Sequence, residues 1–139
     1  MKNSLIIIRV QIVTLILLCC TVGASTAAET PIEAAMADGG IAVIVFASSP
    51  LQAMTEIPFT IELKNSVGEM IKDAKLALDL TMPFMPMPPN NPKAVWRDNA
   101  YRGTAIFTMA GAWQVNVEVN RPEAETEKII FDIEMVIMK

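Results

Sequence analysis

The stretch Glu56-Ile57-Pro58-Phe59-Thr60-Ile61-Glu62-Leu63-Lys64 decides how the chain is read. Ile57, Phe59, Ile61 and Leu63 fall on one side of an extended backbone, and Thr60, Glu62 and Lys64 on the other. Strict period-two alternation is the mark of a half-buried strand, since successive side chains of a strand point to opposite faces. The same rhythm recurs on both sides of this stretch. Upstream, Ile41 to Ala47 is a β-branched run of strand length, closed by Ser48-Ser49-Pro50. Downstream, Ala74 to Met82 turns Ala74, Leu76, Leu78, Leu80 and Met82 inward. Ala94 to Trp96 adds a short strand, and Tyr101 to Met109 puts Tyr101, Gly103, Ala105 and Phe107 on one face. Trp113 to Val119 alternates Trp113, Val115, Val117 and Val119 with polar residues, and Glu127 to Met138 closes the chain. Turn residues separate these runs at Asn65 to Glu69, Asp98-Asn99 and Ala110-Gly111. About seven short strands without helical periodicity predict an all-β fold, an antiparallel β-sandwich. Pro58 marks the start of its strand or an edge, where a missing backbone donor is tolerated. With the outward lysines it is expected to protect an edge strand.

The first 28 residues differ in kind. Lys2 and Arg9 precede an apolar run, Val10 to Cys20, broken only by Gln11 and Thr14, and small residues follow from Gly23 to Ala28. That order matches a secretory signal peptide cleaved after Ala28. Read instead as an uncleaved anchor over residues 5–22, the segment would carry Arg9 and Gln11 within its membrane portion. Cys19 and Cys20 raise lipoprotein processing, yet no small residue stands before either. The organisation expected is a signal peptide or anchor over 1–28, a linker over 29–39 and one domain over 40–139. Export to the periplasm or the outer face of a membrane follows from either reading of residues 1–28.

Beyond Ala28 the chain holds no cysteine and no histidine, nine lysines and arginines, and all fifteen acidic residues, a formal charge of −6. An acidic chain without a basic cluster is not built for nucleic acid. With no imidazole or thiol there is no Ser-His or Cys-His pair and no zinc site of the usual kind. Asp73, Asp79, Glu118, Asp132 and Glu134 fall on outward strand faces, where solvated charge is their role, and no phosphate-binding glycine loop is present. A non-enzymatic protein is expected.

The chemistry lies in Met82-Pro83-Phe84-Met85-Pro86-Met87-Pro88-Pro89-Asn90-Asn91-Pro92. Proline fixes φ and pushes the residue before it towards extended backbone, so a stiff ribbon is expected to leave the preceding strand. At three residues per turn Met82 and Met85 share one side, and Met87 joins them if the chain is locally β-like. Nine methionines follow Ala28. Thioethers suit Cu(I) but not zinc, calcium or magnesium; they also fill core gaps and form adaptable contact patches. Met82, Met85, Met87 and Met109 are the candidate metal ligands. Trp113 and Tyr101 are read as core aromatics, the tyrosine hydroxyl bonded to backbone.

Met82-Pro83-Phe84-Met85-Pro86-Met87, then Tyr101-Arg102-Gly103, then Phe107-Thr108-Met109-Ala110-Gly111-Ala112-Trp113-Gln114-Val115-Asn116-Val117 resembles the YtkA-like/FixH-type family. The resemblance runs from about Gly40 to Val119. It implies a small immunoglobulin-like sandwich outside the cytoplasm, in some members tethered to the membrane, with a place in copper handling or oxidase assembly. Pro86 stands where members commonly have glycine, and the histidines of some copper-handling relatives are absent, which argues against a Cu(II) role. Two functions are therefore expected to compete. One is an accessory domain that binds or hands over Cu(I), with a copper-handling protein as partner. The other is a metal-free module that docks on a membrane complex through the same ribbon.

Overall fold

The computed structural model describes residues 29–139, and over these the chain consists of strands and connections without a helix. The signal peptide or anchor expected over residues 1–28 lies outside the described residues. Nine strands are present: β1 (Ile32–Ala35), β2 (Ile41–Phe46), β3 (Leu51–Gln52), β4 (Glu56–Lys64), β5 (Lys75–Thr81), β6 (Lys93–Arg97), β7 (Ala100–Ile106), β8 (Gly111–Asn120) and β9 (Glu127–Ile137). They form one sheet in the order β1-β2-β4-β7-β6-β5-β8-β9-β3. The sheet curls on itself, so β1, β2, β4 and β7 lie over β5, β8 and β9, with β6 as the bend between the layers. Only two residue pairs join β6 to β5, against four joining it to β7.

The alternation read from sequence becomes the core. Ile57, Phe59, Ile61 and Leu63 of β4 face Leu78 and Leu80 of β5, Trp113, Val115, Val117 and Val119 of β8, and Ile129, Phe131 and Ile133 of β9, all buried. Phe107 stands edge-on to both Phe46 and Trp113, at centroid separations of 5.8 and 5.4 Å. The Tyr101 hydroxyl donates to the Ile71 carbonyl at 2.8 Å and accepts from the Ala74 amide at 3.1 Å, as the sequence reading expected.

Four details depart from that reading. The expected linker over 29–39 contains β1, which pairs with β2 from Ile32↔Ile44 to Ala35↔Ile41; four residues of alanine-rich chain gave no strand signal of their own, and β2 supplies the template. The sheet has nine strands rather than seven, and it is mixed, because the two-residue β3 runs parallel to the end of β9. Strand β7 stops at Ile106, short of the expected Met109. Finally, Pro58 sits in an interior strand between β2 and β7. Its carbonyl accepts from Ala47, just past the end of β2, so the donor it lacks would have pointed where the β2 ladder has already ended. The true edges, β1 and β3, are protected by being short.

Gly103 in the Tyr101-Arg102-Gly103 motif is dictated by packing. It lies opposite Phe59 of β4, and a Cβ there would stand 2.5 Å from the Phe59 ring and 2.3 Å from the Lys93 carbonyl oxygen.

Candidate functional site: the methionine-rich end

Strands β4 and β8 begin, and β5, β7 and β9 end, at the same end of the sandwich. Besides Ala47–Pro50 between β2 and β3, three connections meet there: Ala53–Thr55, Met82–Pro92 and Phe107–Ala110. None of the three contains a charged residue. Backbone bonds tie them together, with Met54 donating to the Phe107 carbonyl at 2.7 Å and Ala53 to that of Ile137 at 2.8 Å.

The β5–β6 connection is a turn followed by a return strand rather than one continuous ribbon. Met82 and Met85 form an isolated antiparallel bridge, with the Met85 amide 3.4 Å from the Met82 carbonyl oxygen. Pro83 is the second residue of that four-residue turn, where its fixed φ is preorganised. Met82 and Met85 are thus brought together across a turn, not by polyproline periodicity. Phe84 is left at the tip, 94% exposed. The chain then runs back beside β5, where the Leu80 amide donates to the Asn90 carbonyl at 2.8 Å. Prolines 88, 89 and 92 offer no donors, and two asparagine side chains take over that task. The Asn91 amide donates to the Leu78 carbonyl at 2.8 Å, and that of Asn90 to the Ile106 carbonyl at 2.9 Å. The Asp79 carboxylate lies within 3.5 Å of both residues, which gives this outward carboxylate a structural task.

The methionines divide. Met82 is half-buried against the core, and its Cε lies 2.9 Å from where a Cβ on Gly111 would be. Gly111 has φ +128°, a conformation that glycine adopts freely. The Met82 side chain therefore rests on the backbone two residues from Met109. Met109 is exposed, and its carbonyl accepts the indole N–H of Trp113 at 3.0 Å, so the buried Trp113 fixes the loop that carries it. Met85 is exposed as well. Met87 takes another place, lining a groove with Ala77, Asp79, Asn116, Lys128 and Ile130 over β5, β8 and β9. Met82, Met85 and Met109 do not line that groove.

Sequence reasoning missed three contributors to this end. Met54, at φ +59°, is 71% exposed at the tip of its turn, and Met138 is exposed beyond β9. Phe84 carries no donor atom, and nothing in the ribbon's proline–methionine pattern marks it as the exposed tip. Position along the chain hid the first two, because only the topology brings residues 54 and 138 beside 109. Of twelve exposed large hydrophobic side chains among the described residues, Met54, Phe84, Met85, Ile106, Met109, Ile137 and Met138 lie at this end, a concentration beyond scattered surface residues. Among the described residues no three histidine, cysteine, aspartate or glutamate side chains gather as a metal-ligand group.

Searches of curated proteins and of solved structures returned no match. The family model described as YtkA-like matches residues 34–118, from the end of β1 through most of β8. That span includes the methionine–proline turn, Gly103 and the Met109 loop, without distinguishing a FixH-type branch. With more than half of its length matched, the chain belongs to the YtkA-like family.

Proposed function

We propose that this YtkA-like protein is a non-enzymatic, extracytoplasmic binding domain that takes Cu(I) at its methionine-rich end. Met82, Met85 and Met109 are its thioether ligands. One observation carries the reading: the Met82–Met85 bridge sits beside Gly111 and the Met109 loop, among connections that hold no charged residue. Neutral, soft donors without a competing carboxylate favour a soft monovalent cation over hard divalent ones. The turn is set by Pro83 and the return strand by the asparagines, so little ordering remains to be done when the metal binds, which lowers the entropic cost of binding. Thioethers release no proton on binding, and affinity should change little across mildly acidic pH. Met87, turned to the groove over β5, β8 and β9, is left out of the ligand set.

The test is a competition titration with a chromogenic Cu(I) chelator under reducing conditions, using the parent and a Met85→Leu/Met109→Leu double variant. Leucine keeps the volume and apolar character and costs less than about 1.5 kcal/mol of stability. The variant should melt close to the parent and lose Cu(I) binding. Equal affinity in the two would sink the metal reading and leave the second one, a metal-free surface that docks on a membrane complex. The exposure of Phe84, which has no sulfur to offer a metal, supports that second reading.

A further inference from the structure

We infer that the methionine-rich end is a membrane-facing surface, and that its loops enter the interfacial layer of a lipid bilayer with Phe84 at the tip. The inference does not rest on copper.

Three observations converge on it. Phe84 is 94% exposed, held out by the Pro83 turn, with Met54, Met85, Met109 and Met138 exposed around it. The connections carrying Met54, Phe84 and Met109 hold no charge, although residues 29–139 have a net charge of −6. The acidic residues of the connections between strands lie at the opposite end, at Asp38, Glu69, Asp73, Asp98, Glu123 and Glu125, while the charges at the methionine-rich end, Glu29, Glu56 and Lys139, stand at or beyond strand termini rather than in the three connections. A surface buried against a soluble protein usually has a polar rim of hydrogen-bonding groups, whereas apolar connections that carry no charge lose little on entering the headgroup–acyl boundary.

The third observation is where the described chain starts. Glu29 lines a groove with Ala47 and Pro58, near the methionine-rich end, and β1 runs from there towards the opposite end. The 28 residues before Glu29, with the apolar run Val10 to Cys20, therefore join the domain from the side of the exposed methionines. A bilayer reached through that run would lie against this end. Because apolar contact rather than charge attracts the surface, attachment should persist in neutral lipid and at high salt.

The experiment places an environment-sensitive fluorophore on the full chain, with Cys19 and Cys20 replaced by serine. Thr108→Cys carries it beside Met109, and Val67→Cys carries it at the opposite end; both positions are exposed. The chain is added, free of metal, to protein-free phosphatidylcholine vesicles. The label at 108 should shift to the blue, lose intensity to brominated lipid and be shielded from aqueous iodide, while the label at 67 should show none of these. Adding Phe84→Asp should abolish the shielding at 108 without lowering the melting temperature. Equal iodide quenching at 108 and 67 overturns the inference. So does shielding at 108 that appears only in membranes containing other proteins, because the surface would then recognise a protein.

Discussion

The two ends of the sandwich are held by different chemistry. At the charged end, turns are closed by polar side chains. Asn65 Oδ1 accepts from the amides of Val67 and Glu69, Asp98 and Asn99 make a tight hairpin with both φ positive, and Arg121 reaches Asp38 and Glu127 at 3.7 and 4.0 Å. At the methionine-rich end, prolines restrict the backbone and Asn90 and Asn91 supply the missing ladder donors. Fixing that end with prolines, two asparagines and glycine at φ +128° engages few of its outward side chains. Closure by polar side chains at each turn uses them up; closure that calls on Asn90 and Asn91 alone leaves thioethers and Phe84 available for a ligand or a surface.

Each end also hangs on one buried aromatic with a polar group, and these aromatics give the largest expected effects. Trp113→Ala removes the packing against Phe107 and the bond to the Met109 carbonyl, at a cost of about 3–5 kcal/mol. Amide exchange should quicken first in Phe107–Ala110, before Asn65–Glu69 responds. Uniform loosening of both ends at the same denaturant concentration would show that the ends do not respond separately.

Tyr101→Phe is the matching change at the charged end. It leaves the Ile71 carbonyl and the Ala74 amide without their partner, for about 1–3 kcal/mol. Burial, with the Asp73 charge adding to it, raises the Tyr101 phenol above its ordinary value of about 10, while the Ala74 amide and Arg121 oppose the rise. In the unfolded chain the phenol ionises at the lower pH. Its stabilisation is therefore complete below about pH 10 and is lost as pH climbs through the raised folded value. The parent should lose stability in that alkaline window and Tyr101→Phe should lose less, as read from urea midpoints between pH 8 and 11. Parallel pH profiles would refute the assignment.

Strand content was legible wherever one face of a strand meets the core and the other meets water. Ile57 to Leu63, Leu78-Leu80 and Trp113 to Val119 face as their alternation demands. The rhythm misleads only where a bulge intervenes. Between Gly111↔Val136 and Trp113↔Ile133 the register of β8 and β9 slips, so Met135, in phase with Ile133, faces outward and Val136 is buried instead. Strand β1 could not be read because a four-residue strand is specified by the neighbour it pairs with. At the site, the sequence brought out Met82 and Met85 together with Met109. The turn that unites the first two, the separate place of Met87 and the arrival of Met54 and Met138 depend on which connections share an end. That is a property of topology, and no local pattern encodes it.

The smallest expected effect separates the two ends most sharply. Asn91→Ala and Asn65→Ala each remove one side-chain amide that satisfies backbone groups in a connection, and each should cost about 1 kcal/mol. Their consequences for Cu(I) should nevertheless differ. Without Asn91 the return strand is held to β5 by the Leu80–Asn90 bond and the weaker contact of the Asn90 amide to Asp79, and Met82 and Met85 must be ordered by the metal. An added ordering cost of about 1 kcal/mol corresponds to about a fivefold loss of affinity, with no ligand changed. Asn65→Ala loosens a turn at the far end and should leave Cu(I) affinity at the parent value. Equal affinity losses in the two variants would mean that global stability governs binding, and local preorganisation of the methionine turn would no longer explain it.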